Sequence, residues 1–272
     1  MKNIQAKITS NKEIAPACFR MVLSGPFEDF SPRPGQFIML RVGNGYDPLL
    51  RRPFAAYRLN TLKGFFVEIF YKVVGHGTRM MSSMFPDTRL ELLGPLGNGF
   101  KIPDKISTAF ILAGGMGIVP LRGLIRHFID RKTESIHVFI GARSASHFLF
   151  QQEFQEMEIS FQVSTEDGSA GHHGLVTELF SQFLNNFSSM DEDDKICFAC
   201  GPLPMLETVA RITSRFRLSC QVSLESRMAC GIGACLGCAV KLRNQNYNYQ
   251  GPDKYVRVCL EGPVFDAREI EW

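Results

Sequence analysis

The stretch Ala229-Cys230-Gly231-Ile232-Gly233-Ala234-Cys235-Leu236-Gly237-Cys238 sets out three cysteines with four and then two residues between them. A fourth, Cys259, follows after a longer gap that includes 244–250. This is the order of thiolates found around plant-type 2Fe–2S clusters. Two irons need four anionic sulfurs, so a tight loop has to curl until several thiolates point inward together. The glycines of the stretch let the backbone turn and bring its N–H groups close to sulfur. A structural zinc also takes four cysteines, but zinc modules usually present two Cys-x-x-Cys knuckles, and here only Cys235/Cys238 has that form. The spacing therefore favours iron–sulfur over zinc, with Cys230, Cys235, Cys238 and Cys259 as the expected metal ligands.

The chain has eight cysteines, and its opening, Met-Lys-Asn-Ile-Gln-Ala-Lys, has neither the apolar core nor the cleavage site of a signal peptide. Thiols in that setting point to cofactor ligation rather than disulfides, and a cytoplasmic protein is expected. Cys18 and Cys220 sit in strand-like runs and read as small core residues. Cys197 and Cys200 form a second Cys-x-x-Cys with no third ligand nearby, so neither a metal nor a thioredoxin-type redox pair is expected there. The 30 basic and 27 acidic residues, net charge +3, are spread along the chain without a basic block, which argues against a nucleic-acid partner. The longest uncharged run, 106–121, is too short to span a bilayer and carries Gly114, Gly115, Gly117 and Pro120, so no membrane span is expected.

Upstream of the cysteine tail the texture is that of alternating strands and helices. Strands are expected at 107–113, 137–142, 161–164 and 195–199, and helices at 118–131, 175–184 and 203–215. This rhythm argues for a doubly wound parallel sheet. The first strand-to-helix joint, Ala113-Gly114-Gly115-Met116-Gly117-Ile118-Val119-Pro120, lies where a pyrophosphate would meet a helix N-terminus, although Pro120 stands where the Rossmann fingerprint has its third glycine. Cys200-Gly201-Pro202 leaves a later strand at its carboxyl end, where ligands bind in open α/β sheets.

The first hundred residues instead show short strands, at 3–10, 17–23, 36–42, 54–58, 65–70 and 89–93. Turn signals lie between them at Ser31-Pro32-Arg33-Pro34-Gly35 and at 43–45. Six strands so spaced suggest a small antiparallel barrel, interrupted by one helical piece near 78–84. Arg51-Arg52-Pro53-Phe54-Ala55 enters a strand from a loop, so an arginine there can meet a phosphate, although a solvated pair is the plainer reading. Gly77-Thr78 reads as a helix start with a hydroxyl cap.

With these pieces in order, the chain resembles the ferredoxin–NADP reductase superfamily. The resembling residues are Arg52-Pro53-Phe54-Ala55, Gly77-Thr78, Gly94-Pro95-Leu96-Gly97, Gly114 through Pro120, Thr165-Glu166-Asp167-Gly168 and Cys200-Gly201-Pro202-Leu203-Pro204-Met205. The tail from Ser223 through Cys238, ending Cys259-Leu260-Glu261-Gly262-Pro263-Val264-Phe265, is similar to that of the electron-transfer subunits of NAD-dependent (type B) dihydroorotate dehydrogenases. The resemblance implies an FAD-binding barrel over 1–101, an NAD-binding α/β domain over 102–218 and a 2Fe–2S subdomain over 219–272. It implies FAD contacts at Arg52, Pro53, Phe54, Ala55, Phe70, Tyr71, Lys72, Gly77 and Thr78, and NAD(H) contacts at Gly114, Gly115, Gly117, Cys200, Gly201 and Pro202. It also implies an FMN-containing catalytic subunit as partner, in a heterotetramer of two of each. Ala55 departs from the hydroxyl residue many superfamily members carry after the arginine. Gly141-Ala142-Arg143-Ser144 lacks the acid expected for a ribose 2′-hydroxyl, so NAD over NADP rests on the resemblance.

The implied chemistry is a two-electron to one-electron converter. A nicotinamide exchanges a hydride, a cluster handles single electrons, and a flavin between them does both. No acid–base residue is needed for hydride transfer itself, and none is assigned. Three rivals remain at this stage. An oxygenase reductase would carry a complete ferredoxin domain, for which 219–272 is too short. A flavin subunit of a hydrogenase or bifurcating transhydrogenase is excluded less firmly. A regulatory module of the same fold without cofactors would be colourless when purified.

Overall fold

The computed structural model describes residues 1–272 except Asn44, Lys63, Glu158, 188–193 and 244–253. Asn44 of the expected turn at 43–45 and the stretch 244–250 thus lie outside the described residues. The chain divides into two compact units, and the tail contributes to both. The first unit comprises Met1–Gly99, Ser226–Ala239 and Arg257–Pro263, and the second Phe100–Glu225, Val240–Val256 and Val264–Trp272.

The first unit is a closed barrel of six strands. β1 (Lys2–Ala15), β2 (Cys18–Ser24), β3 (Phe37–Arg41), β4 (Arg52–Thr61), β5 (Gly64–Lys72) and β6 (Arg89–Leu96) run in the order β1-β2-β5-β4-β3-β6, and β6 closes back onto β1. Closure removes the exposed edges that an open sheet would leave. Alternation decides which way each strand faces. In β1, Ile4, Ala6 and Ile8 are buried between exposed polar neighbours, and in β6 the buried Leu90 and Leu92 alternate with less buried residues. The core adds Met21, Leu23, Ile38, Leu40, Val67 and Ile69, and the helix α1 (His76–Ser82) lends it Met81.

The second unit holds a sheet built from β7 (Thr108–Gly114), β8 (Ser135–Ala142), β9 (Phe161–Thr165), β10 (His172–His173), β11 (Lys195–Cys200) and β12 (Ser219–Ser223). Helices α2 (Ile118–Asp130), α3 (Gln151–Glu156), α4 (Val176–Asn186) and α5 (Leu203–Arg215) alternate with these strands. β13 (Ala239–Lys241) and β14 (Tyr255–Arg257) make a separate two-stranded sheet, and β15 (Val264–Asp266) joins the large one. The order is β10-β9-β8-β7-β11-β12-β15, parallel throughout except for β15, which runs antiparallel to β12. β11 is buried at all six positions and β7 at six of its seven, as strands covered on both faces must be. Phe198 of β11 packs edge-on to Phe100 at 5.6 Å and against Phe128 of α2 at 5.4 Å between ring centres. Chain order runs outward from β7 through β8 to β9 and then returns to β11 on its other side. The sheet therefore has its topological switch point between β7 and β11.

The antiparallel barrel and the parallel sheet agree with the sequence reading, whereas the tail differs from it. Its expected boundary at 218/219 falls just before β12, a strand of the large sheet, and β15 lies in that sheet too. α3 and the two-residue β10 have no counterpart in the sequence reading. Deletion of the fully buried Phe198 ring is expected to cost about 3–5 kcal/mol. Thermal melting of Phe198→Ala against wild type checks this, and an unchanged midpoint would contradict the packing described.

Candidate functional site

The four tail cysteines all lie in the first unit. None of the eight thiols is in a disulfide. The four fall into two pairs: Cys230 and Cys235 are within hydrogen-bonding reach of each other, and so are Cys238 and Cys259. Backbone donors surround the sulfurs. Gly233 N–H donates to Cys259 Sγ at 3.1 Å, Cys235 N–H to Cys230 Sγ at 3.4 Å, and Ile232 N–H to the same sulfur at 3.5 Å. Burial works against ionisation of Cys230, yet the N–H groups of Ile232, Cys235 and Ala234 outweigh it and bring the thiol down to about 6. Cys259 is pushed up to about 12 by burial and by the adjoining Cys238 thiol, against the Gly233 N–H.

This donor set fits a 2Fe–2S cluster, which takes two cysteines at each of two irons. A single tetrahedral metal would need its four donors drawn to one point, whereas here the thiols fall into two pairs. The loop backbone passes close to its neighbours. Gly231 has φ +71°, and a Cβ there would stand 2.4 Å from Met39 Cγ. Leu236, between Cys235 and Gly237, also takes a left-handed φ of 59° and is 63% exposed. Ile232 and Leu260 are exposed as well.

The sequence reading gave no role to three residues of this loop region. Arg257 donates through Nη1 to the Gly233 carbonyl at 3.0 Å and is paired with Glu261. That pair holds the Glu261 carboxyl down at about 2. Asn98 Nδ2 donates to the carbonyls of Leu260 and Glu261. An acid four residues after a base was the only available signal, and it would have suggested a surface pair.

The residues expected at a flavin are also in the first unit, and the structure sorts them. A Cβ on Gly77 would lie 2.9 Å from Arg52 Nε, so the Arg52 guanidinium lies against Gly77. Arg51, read with it as a solvated pair, is turned elsewhere, donating to the Glu91 carboxylate and to its backbone carbonyl. Burial lowers its affinity for the proton, and Arg41 adds to that. Thr78 is not the helix cap, a position held by Gly75. One turn inside, the Thr78 hydroxyl accepts from the N–H groups of Val74 and Gly75 at 2.9 and 3.2 Å.

Tyr71 faces the barrel core. It is stacked on Phe19 at 5.5 Å and tilted against Phe54 at 6.0 Å, and its hydroxyl donates to Asn11 Oδ1 at 2.9 Å. Burial pushes its pKa up to about 12, against the Asn11 contact. The side chains of Tyr71 and Phe54 are therefore committed to packing. Pro53 and Ala55 stand opposite Met39 and Phe37 in the β3–β4 pairing, and Lys72 is opposite Cys18 where β5 ends. Phe70 is buried on β5.

In the second unit the six residues expected at the nucleotide converge on the switch point. Parallel pairing sets Cys200 beside Ala113. A Cβ on Gly117 would stand 2.0 Å from the Cys200 carbonyl oxygen, and one on Gly114 would meet Met205 Sδ at 2.6 Å and Pro202 Cδ at 2.8 Å. A Cβ on Gly201 would be 3.0 Å from the Gly114 nitrogen. Gly115, at φ +53°, has open space where its Cβ would be. The result is a closely packed glycine stretch at the start of α2, where a helix N-terminus favours a phosphate. The Cys200 thiol is buried and its pKa well raised by that burial and by Glu225, against Ser223 and the Gly201 N–H. Cys197 pairs in register with Cys220 of β12, both buried.

Among the described residues, no helix is long and apolar enough to cross a membrane. Residues 225–271 match the family described as the iron–sulfur cluster binding domain of dihydroorotate dehydrogenase B, and 111–211 match the oxidoreductase NAD-binding domain. The chain is 34% identical over 271 residues to the dihydroorotate dehydrogenase B (NAD(+)) electron transfer subunit of Desulforamulus reducens, covering 100% of this chain and 99% of the relative. It is equally 34% identical, over 274 residues, to the subunit so named in Bacillus velezensis, with 99% of each chain covered. Among solved structures, it superimposes on the NADH-dependent reduced ferredoxin–NADP oxidoreductase studied for flavin-based electron bifurcation, with TM-score 0.81 and 27% identity over 98% of this chain and 90% of that one. A ferredoxin reductase of carbazole 1,9a-dioxygenase shares the fold at TM-score 0.65 and 17% identity, over 80% of this chain and 66% of that one.

The two glycines at the start of α2 are expected to behave differently. Gly117→Ala drives a Cβ into the Cys200 carbonyl and has to push the turn before α2 away from the end of β11. Gly115→Ala meets no neighbour and bears only the left-handed backbone, about 1–2 kcal/mol. Thermal melting of the two variants should show the larger loss for Gly117→Ala, and the reverse order would refute the close approach.

Proposed function

The chain belongs to the family of dihydroorotate dehydrogenase B (NAD(+)) electron transfer subunits, and from that premise we propose that it carries electrons between NAD(H) and a partner subunit that turns over dihydroorotate and orotate. Its cofactors are FAD and a 2Fe–2S cluster, with NAD(H) as co-substrate. The observation that carries this reading is the two-pair arrangement of Cys230/Cys235 and Cys238/Cys259, in a chain related end to end to that family. A bifurcating oxidoreductase subunit shares the fold, but the tail match at 225–271 favours dihydroorotate dehydrogenase.

When bound, FAD exchanges two electrons with a nicotinamide and single electrons with an iron–sulfur cluster. The chain's residues supply position and surroundings. Cys230, Cys235, Cys238 and Cys259 would hold the cluster, and the N–H groups of Ile232, Gly233 and Cys235 would stabilise negative charge on the sulfurs. Arg52 places a cation beside Gly77 for the flavin's phosphates, while Phe54 and Tyr71 support that wall from the core. Gly114, Gly115, Gly117 and Gly201 keep the switch point clear, so that the first turn of α2 can face the nucleotide's pyrophosphate. Cys200, protonated and buried, is a packing thiol beside it. The partner is an FMN-containing catalytic subunit docked over Ile232, Leu236 and Leu260, as a cytoplasmic assembly of two copies of each.

Two experiments test this. Anaerobically purified protein is expected to hold about two irons and two labile sulfides. Serine at Cys230, Cys235, Cys238 or Cys259 should remove or weaken the cluster, whereas serine at Cys18, Cys197 or Cys220 should not. Zinc in place of iron would sink the cluster assignment. In the second experiment, the chain alone should reduce a dye with NADH faster than with NADPH, yet leave dihydroorotate and orotate unchanged until the catalytic subunit is added. Leu236→Glu should weaken that coupling. Turnover by the chain alone would refute the division of labour, and full coupling in the variant would move the docking surface elsewhere.

A further inference from the structure

The turn that carries Cys259 grips Gly233 by both its backbone groups. Gly233 N–H donates to Cys259 Sγ at 3.1 Å, and its carbonyl accepts from Arg257 Nη1 at 3.0 Å. Arg257 is in turn fixed by Glu261. Its Nε donates to Oε2 at 3.0 Å, its Nη2 donates to Oε1, and its backbone N–H donates to Oε2 at 2.6 Å. The Arg257 carbonyl accepts from the N–H groups of Leu260 and Glu261 at 3.1 and 3.0 Å. Asn98 Nδ2 holds the carbonyls of the same two residues at 3.1 and 3.0 Å. The guanidinium is thus held from its own turn and spends its third nitrogen on the cysteine loop.

Gly233 sits at φ +83° with no side chain to restrict it. Freed at its carbonyl, it has neighbouring backbone wells open that would turn its N–H away from sulfur. Hydrogen bonds to the sulfurs are among the determinants of an iron–sulfur potential. Reduction adds negative charge, so an N–H aimed at Sγ stabilises the reduced form and raises the potential. The positive charge of Arg257 is balanced by Glu261 beside it, so its main leverage is geometric.

We propose that Arg257, clamped by Glu261, is a positioning residue that keeps the Gly233 N–H on Cys259 Sγ and thereby raises the reduction potential of the cluster. The proposal rests on the iron–sulfur reading above, and the two fail separately in the following experiment. Full-length wild type, Arg257→Lys, Arg257→Met and Glu261→Gln are purified anaerobically. Iron and sulfide are measured, and the cluster is titrated against dithionite with detection by electron paramagnetic resonance.

The expected result is a lower midpoint in all three variants, with a changed resonance of the reduced cluster. Wild type without iron would refute the cluster itself. Loaded variants with the wild-type midpoint would overturn the positioning role alone. A midpoint that rises in Glu261→Gln, or that stays at wild type in Arg257→Lys while falling in Arg257→Met, would overturn it in favour of a simple charge effect. Should Arg257→Met fail to load, the other two variants decide. Loss of iron from all three would overturn the proposal in favour of a purely structural strap.

Discussion

Close approach of backbone to sulfur is the constraint on which the tail of this chain depends. Hydrogen-bond donors must reach Cys230 and Cys259 from the loop's own N–H groups, and they reach them only because the chain between Cys230 and Cys238 adopts left-handed turns at Gly231, Gly233 and Leu236. An anion in a protein needs compensating donors, and a loop that provides them from its backbone needs no side-chain cation at each sulfur. The rest of the local structure secures that curl. Met39 of the barrel lies against Gly231, Arg257 holds Gly233, and Asn98 anchors the turn after Cys259.

The nucleotide end of the second unit solves the same geometric problem for a different anion. There the close approach is made by Gly114 and Gly117, packed so tightly on Pro202, Met205 and the Cys200 carbonyl that a methyl group could not be inserted. Parallel pairing of β7 with β11 brings the two carboxyl ends level, and the change of winding direction between them leaves a crevice. Glycine at 114 and 117 and a buried thiol at 200 are thus consequences of strand packing as well as of ligand access. A reading that assigned all six residues to ligand alone would miss half their role.

The strands of the barrel and sheet were legible because each carries its instruction locally. Alternating burial marks β1 and β6, and unbroken apolar runs mark β7 and β11. The cluster cysteines were legible because their spacing is itself the chemistry. What was not legible depends on partners far away in sequence. β12 seemed to belong to the tail, and its place in the sheet rests on β11 before it and on β15 some forty residues later. Tyr71 and Phe54 read as cofactor neighbours, but which way a strand residue points is decided by barrel register, and both rings turned to the core. Arg51 and Arg52 look alike in sequence and separate only when β6 supplies Glu91 to one and α1 supplies Gly77 to the other.

The tip of the cysteine loop is costly for a subunit standing alone. Leu236 takes a left-handed backbone that glycine would adopt freely and that a side chain enters at about 1–2 kcal/mol. It also holds an apolar side chain largely in water, next to the exposed Cys235, with Ile232 and Leu260 close in sequence to the remaining cysteines. Neither feature helps the loop fold, since glycine at 236 would relieve both. Removing the exposed part of that side chain from water returns about 1–2 kcal/mol, which is comparable with the backbone strain. A surface covering the tip would therefore cancel a cost that the loop otherwise bears. This supports the docking surface proposed above, because the same covering would bring the cluster close to its acceptor and shut water away from it.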